Sequence, residues 1–248
     1  MLDWLNPRNL TTLQLLETAD RLKMGFKAVQ MERHSIMRSF REWTLAELDR
    51  TFDLIVLDNS PVLKSWLDGR AEISDFEHQA LSSFQSLLTA HVYDWNETEL
   101  AYNFIGPLMA LVRFSSKEFN FFAERTLIGK VDEIEIGGKP DGIIASGFRE
   151  PKQPYFCFQE YKKEKDPDGD PAAQVLAAML VAQELNQYQL PVYGCYIKGE
   201  IWHFMTLQNR SYSISEGYLA TRQADIVDIF RILKVLKTII IEFIKVKS

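Results

Sequence analysis

The run Tyr155-Phe156-Cys157-Phe158-Gln159-Glu160-Tyr161-Lys162 is apolar for most of its length and ends with a carboxylate and an ammonium two residues apart. In an extended strand, residues two apart share a face. Phe156, Phe158, Glu160 and Lys162 are then expected on one side. Charges at the end of an apolar strand are costly to bury unless they are paired or hold a metal. A second carboxylate, Asp141, stands in Gly138-Lys139-Pro140-Asp141-Gly142, at the head of the apolar run Gly142-Ile143-Ile144. Two neighbouring strands can bring Asp141 and Glu160 to one cation. Oxygen-only ligands favour a hard ion, Mg²⁺ or Mn²⁺. Such an ion activates water and offsets negative charge developing on a phosphate. Lys162, beside it, could orient or help deprotonate that water and stabilise the pentavalent phosphate.

Each residue also has a plainer explanation. Glu160 and Lys162 could end a surface strand, since Lys163, Glu164 and Lys165 continue the charge run, and Asp141 could be an ordinary hairpin residue. It is their order and spacing together that point to a metal site.

The elements needed to position them follow from periodicity and turn chemistry. Thr11 to Gln30 carries Leu13, Leu16, Ala19, Leu22 and Phe26 at helical spacing. Thr44 with Glu47, and Ser74 with Glu77, are capping-box patterns that open two further helices. Asn59-Ser60-Pro61 reads as a turn. Trp95 to Val112 reads as a helix with Asn96 as N-cap and Pro107 inside it as a point of kinking or breaking. Strands are expected over Thr126 to Ile136, Lys139 to Ala145 and Tyr155 to Lys162, with Gly137-Gly138 as a hairpin turn between the first two. Asp170 caps a helix from Pro171 to about Asn186. Strands over Val192 to Lys198 and Ile201 to Leu207 meet at Gly199-Glu200, and a long helix covers Thr221 to Lys245. The order predicts an α/β fold, a mixed central sheet flanked by helices, over residues 94–248, with an N-terminal helical region over 1–93.

Pro140-Asp141, then eighteen intervening residues, then Glu160-Tyr161-Lys162 resembles the PD-(D/E)XK motif of the restriction-endonuclease-like nuclease superfamily. The helix, three strands, helix, strand order over roughly residues 95–207 is similar to that superfamily's core. The resemblance implies a metal-dependent nuclease acting on DNA, with Asp141 and Glu160 as metal ligands and Lys162 as the catalytic lysine. Members often add a carboxylate from the helix before the first strand. Glu97 shares a helical face with Ala101, Phe104 and Leu108, whereas Glu99 shares one with Asn103 and Gly106, so Glu97 is the one expected to face inward. The alternative for Glu97 is a solvated first-turn residue favoured by the helix dipole. The string from Asn96-Glu97 to Ile105-Gly106-Pro107-Leu108 also resembles the first helix of restriction-subunit-like members. The resemblance further suggests Gln174, in the first turn of the Pro171 helix, as a residue near the active site; a simple exposed glutamine is the alternative.

The bulk properties bound these readings. The chain has 248 residues, 46% hydrophobic and 25% charged, enough for one ordinary core and a smaller appended module. A net charge of −6 excludes a protein basic over its whole surface, so phosphate-binding charge must be local. Lys162, Lys163 and Lys165 could supply it, as could Arg231, Lys234, Lys237, Lys245 and Lys247 of the last helix. Cys157 and Cys195 suit neither a disulfide framework nor a metal cluster. No signal-peptide pattern stands at the start, and Thr238 to Ile244 is too short to span a bilayer. A cytoplasmic protein with no membrane association is expected. His34, His78, His91 and His203 show no ligand spacing, and Asp166 to Asp170 reads as a turn rather than a calcium loop. The apolar stripe Ile226, Ile229, Phe230, Leu233, Leu236 and Ile240 serves either packing on the domain or a homodimer seam. The N-terminal helices could receive a protein partner. The rival function is a catalytically silent nuclease-like scaffold that binds nucleic acid or protein without cutting.

Overall fold

Three capping boxes start helices where the side chains demand it. In the computed structural model, which describes residues 37–164 and 169–247, Thr44 and Glu47 bond reciprocally at the start of α1 (Leu45–Phe52). Ser60 caps α2 (Pro61–Leu67), a helix that sequence reading took for a turn alone. Ser74 and Glu77 open α3 (Asp75–His91), and Asn96 with Glu99 opens α4 (Glu97–Leu100). Each cap satisfies backbone N–H groups that the first helical turn leaves without partners.

Pro107 does not break the helix. Between α4 and α5 (Gly106–Val112) lies a π-helical turn, Ala101–Ile105, in which the Gly106 N–H donates to the Ala101 carbonyl. Pro107 has no N–H to donate, and the wider turn absorbs the interruption. A Cβ at Gly106 would lie 3.0 Å from the Ala101 oxygen, so the turn closes tightly on a glycine. α6 (Pro171–Leu185) begins at the Asp170 cap as expected, and α7 (Gln223–Lys247) ends the chain.

The strands are β1 (Arg38–Ser39), β2 (Ile55–Val56), β3 (Phe119–Ala123), β4 (Leu127–Val131), β5 (Ile134–Gly138), β6 (Gly142–Ser146), β7 (Lys152–Lys162), β8 (Val192–Lys198), β9 (Ile201–Gln208), β10 (Ser211–Ile214) and β11 (Tyr218–Leu219). The large sheet runs β2-β10-β9-β8-β7-β6-β3, with β11 on β9. It is mixed: β7 and β8 are parallel, joined through α6, while β6 lies antiparallel to β7. This is the expected α/β architecture, and it puts β7 inside the sheet, between β8 and β6.

The expected single strand over Thr126 to Ile136 is instead the β4–β5 hairpin. Its turn is Asp132-Glu133, with φ of 46° and 68°. Gly137-Gly138 is not a turn but part of β5. A Cβ at Gly138 would sit 2.6 Å from Phe40 Cδ2, so the glycine makes room for a ring rather than a bend. This hairpin and β1 form a separate three-stranded sheet. The neighbour of β6 is therefore β3, a strand that was not foreseen. Two successive positive φ angles on side-chain-bearing residues are strained, and glycine relieves this. Glu133→Gly is expected to raise the thermal midpoint by about 1–3 °C; differential scanning calorimetry showing a lower midpoint would refute that account.

Helix α6 is buried on nearly every side. One side rests on β8, where a Cβ at Gly194 would come within 2.6 Å of Met179 and Val175; another meets β4, where a Cβ at Gly129 would lie 2.7 Å from Val181. A helix apolar all round needs cover on all sides, and the small sheet supplies it. The opposite face of the large sheet carries α2, α3, α5 and α7 in a second core. Trp66 of α2 is fully buried there and donates its indole N–H to the Ile232 carbonyl of α7.

Arg38–Ser248 is one compact unit. Leu48 and Phe52 join one core, and Leu63, Trp66, Leu81 and Leu88 the other. Residues 38–93 thus pack with the sheet, and the boundary expected at 93/94 falls inside the unit. The helix expected over Thr11 to Gln30, and His34, lie outside the described residues. The α7 stripe Ile226, Ile229, Phe230, Leu233, Leu236 and Ile240 is buried within the unit, so it serves packing rather than a free dimer seam. Three of the α7 cations are engaged, Arg231 with Asp228 and two carbonyls, Lys234 with Glu77, Lys237 with the Val112 carbonyl, while Lys245 is exposed. Among the described residues, no helix is long and apolar enough to cross a membrane.

Candidate active site

Strand β7 does not keep one alternation along its length. Ile144 pairs with Cys157, but Ala145 pairs with Tyr155, so Phe156 is an extra residue in a bulge. Phe156 consequently joins the core beneath α5 and α7, whereas Phe158 joins the core beneath α6. The expected shared face of Phe156, Phe158, Glu160 and Lys162 begins only after the bulge. Glu160 and Lys162 are 4% and 7% exposed at the strand's end, so the surface-strand explanation does not hold.

Asp141 is a bend residue immediately before β6, not within it. The β6–β7 register sets Gly142 opposite Gln159, which brings Asp141 to the end of β7. There its Oδ2 accepts the Tyr161 backbone N–H at 2.7 Å. This bond holds the carboxylate against the backbone between Glu160 and Lys162.

The Lys162 ammonium is the hub. Its Nζ donates to Glu160 Oε1 at 3.0 Å and to Glu97 Oε1 at 3.1 Å. Glu97 is thus the inward carboxylate of α4, while Glu99 is spent on the capping box, accepting from the Asn96 N–H at 2.8 Å. Helical phase puts Glu97, and not Glu99, on the side of Lys162. Gln174 is buried rather than exposed, and its amide faces Gly169. Among the described residues no hydrogen bond joins it to Asp141, Glu160 or Lys162.

The electrostatics show a crowded acid cluster. Burial, and then the charge of Asp141, push the Glu160 carboxyl up to about 7. Burial also raises Asp141, with the Glu97 charge adding to it, against the Tyr161 N–H and Lys162. For Lys162, burial acts to lower the pKa, but Glu160 and Glu97 outweigh it and raise it. Lys162 is therefore a cation and hydrogen-bond donor at neutral pH. While it bridges the two glutamates it is placed to donate rather than to accept a proton.

A cleft of about 390 Å³ opens beside the cluster, lined by Glu97, Tyr102 and Ile105 of the α4–α5 segment, Phe121 of β3, Asp141 and Tyr161, with Arg41 on the rim. Arg41 comes from the 3-10 turn Phe40–Glu42 and its charge acts on both Asp141 and Glu160. Sequence reading had no signal for it: it lies a hundred residues before the motif. Tyr161 closes the floor, donating its hydroxyl to Gln159 Oε1 at 2.7 Å.

No protein-family model matches this chain, and no curated protein has a matching sequence.

Among the described residues, no three His, Cys, Asp or Glu side chains enclose a ready-made ion cage. Yet the donor set suits a hard cation. Three carboxylates from α4, the β6 entrance and β7 act on one another electrostatically, and a divalent ion would relieve that repulsion. Asp141, Glu160 and Glu97 are the side chains that could hold it, with Lys162 shifting from its bridge between the two glutamates.

Proposed function

We propose that this chain is a Mg²⁺- or Mn²⁺-dependent nuclease that hydrolyses DNA phosphodiester bonds, and that its site is of the PD-(D/E)XK kind. The observation that carries the reading is the Lys162 ammonium within 3.1 Å of both Glu160 and Glu97, with Asp141 bonded to the backbone between Glu160 and Lys162. Four side chains that the motif and the helix phase single out form one cluster from three places in the chain, and two of them, Glu97 and Asp141, line the cleft.

Asp141, Glu160 and Glu97 would hold the ion, which when bound supplies an activated water and charge neutralisation at the phosphate. Lys162, protonated, donates to the phosphate oxygens as negative charge builds on them. The Tyr161 N–H keeps Asp141 turned toward the cleft. Arg41, on the rim, gives the incoming phosphodiester a positive partner on a chain whose net charge is −6.

The full-length protein is expected to cleave DNA with Mg²⁺ or Mn²⁺ and not in EDTA. Calorimetric titration with Mn²⁺ should give a binding signal that Asp141→Ala removes. A chain that neither binds Mn²⁺ nor cuts is instead the silent scaffold, with Lys162 serving as a permanent internal cation.

A further inference from the structure

The α4–α5 segment presents Tyr102 from its π-helical turn with 77% of its surface exposed, on the wall of the cleft that ends at the carboxylates. Its neighbours Phe104 and Ile105 turn into the core. An aromatic ring left this open beside a reacting site is a stacking surface without a partner. The rest of the lining is mixed: Phe121 and Ala101 are apolar, Tyr161 lies at its base, Thr98 and Glu124 are polar, and Arg41 is the cation at the rim. One exposed ring with a second aromatic, Phe121, in the same lining, and one guanidinium, match a nucleobase joined to its phosphate.

We propose that this cleft takes an unpaired nucleotide, its base stacked on Tyr102 and its phosphate directed by Arg41 toward Asp141, so that the protein engages single-stranded nucleic acid or a frayed end in preference to blunt duplex. The proposal rests on the phosphodiesterase reading only in treating the carboxylate end as the reacting end. A paired base keeps both faces stacked within the duplex. It can reach such a slot only by being unstacked and unpaired first, and a single strand is spared that cost.

The test measures binding rather than cleavage. Full-length protein in EDTA is titrated against fluorescent single strands of about 12 nucleotides, one DNA and one RNA, and against the blunt DNA duplex of the same sequence. Single-stranded binding at least tenfold tighter than duplex binding is expected. Tyr102→Ala should weaken single-strand binding about 5- to 100-fold and leave duplex binding unchanged, while Tyr102→Trp restores it. Because the ring is exposed, these variants keep the fold. Equal or tighter binding of duplex, or a Tyr102→Ala variant that binds single strands as wild type does, overturns the proposal. The outcomes separate from those of the function itself. Tyr102-dependent single-strand binding without metal-dependent cleavage keeps the slot and sinks the nuclease. Duplex cleavage without single-strand preference does the reverse. Binding confined to the RNA strand keeps the slot and overturns the choice of DNA.

Discussion

Lys162→Met is expected to lower metal-dependent DNA cleavage at least about 100-fold, the scale seen when a donor to developing oxyanion charge is removed. The same change should destabilise the metal-free fold, and the two effects can be read apart. Lys162 is the cation bonded to both Glu160 and Glu97. Removing one partner of a buried pair leaves the other charge uncompensated, at a cost of roughly 3–5 kcal/mol. Glu160 can escape by taking up a proton, and with its carboxyl already raised to about 7 it does so readily at mildly acidic pH. Without Lys162, which lowers it, that carboxyl rises further in the variant, so the loss in stability should be largest at high pH and shrink as pH falls toward about 7. Urea denaturation across that range, with cleavage assayed where the variant is folded, checks both parts. Cleavage above a tenth of the wild-type rate would falsify the role given to Lys162.

Glu160→Gln should have the opposite effect on stability and the same effect on activity. The Glu160 carboxyl rises from its ordinary 4.5 to about 7, first through burial and then through the Asp141 charge. The folded chain then binds this proton more tightly than the unfolded one. The stabilising contribution is complete below about pH 4.5 and is lost as pH rises through about 7. At pH 8 the buried carboxylate is a liability of about 1–3 kcal/mol, allowing for relaxation around it. Glutamine keeps the shape without the charge, and Lys162 keeps Glu97 as a partner. The variant should melt higher than wild type at pH 8 without metal and lose the advantage near pH 5. Added Mg²⁺ should raise the wild-type midpoint and leave that of the variant alone. A Glu160→Gln protein less stable than wild type at pH 8 would show that the Glu160–Lys162 pair outweighs the desolvation of the carboxylate.

The opposite signs arise from one geometry. Three carboxylates crowded near one ammonium cost local stability, which a bound cation would offset. Arg41 and the π-helical turn belong to the same arrangement. Both line the cleft, and neither lies within the motif.

The features legible in the sequence share a short range. The capping boxes at Thr44 and Ser74 involve residues three apart, and the Asn96 cap stands at the first turn of its helix. The Glu160 and Lys162 pair on one strand, and the choice of Glu97 over Glu99 on one helical phase, depend on repeats of two and 3.6 residues. Backbone geometry determines such relations before any tertiary contact forms. The Asp170 cap and Pro171 start of α6 were legible for the same reason.

The misread features depend on groups far apart along the chain. Gly137-Gly138 has the composition of a turn, but Phe40 needs the space that Gly138 leaves, and the turn falls instead on Asp132-Glu133. Period-two alternation could not anticipate the bulge at Phe156, because a bulge is a relation between two strands.

The lysine and carboxylate that end β7 were thus determined by the sequence alone, as residues on one face of one strand. Only the tertiary structure decided that Lys162 bridges Glu160 to Glu97 and so remains a cation rather than a base. The spacing of residues sets which side chains share a face. Their charge state depends on burial and on neighbours from other elements, and those exist only once the sheet and its helices have come together.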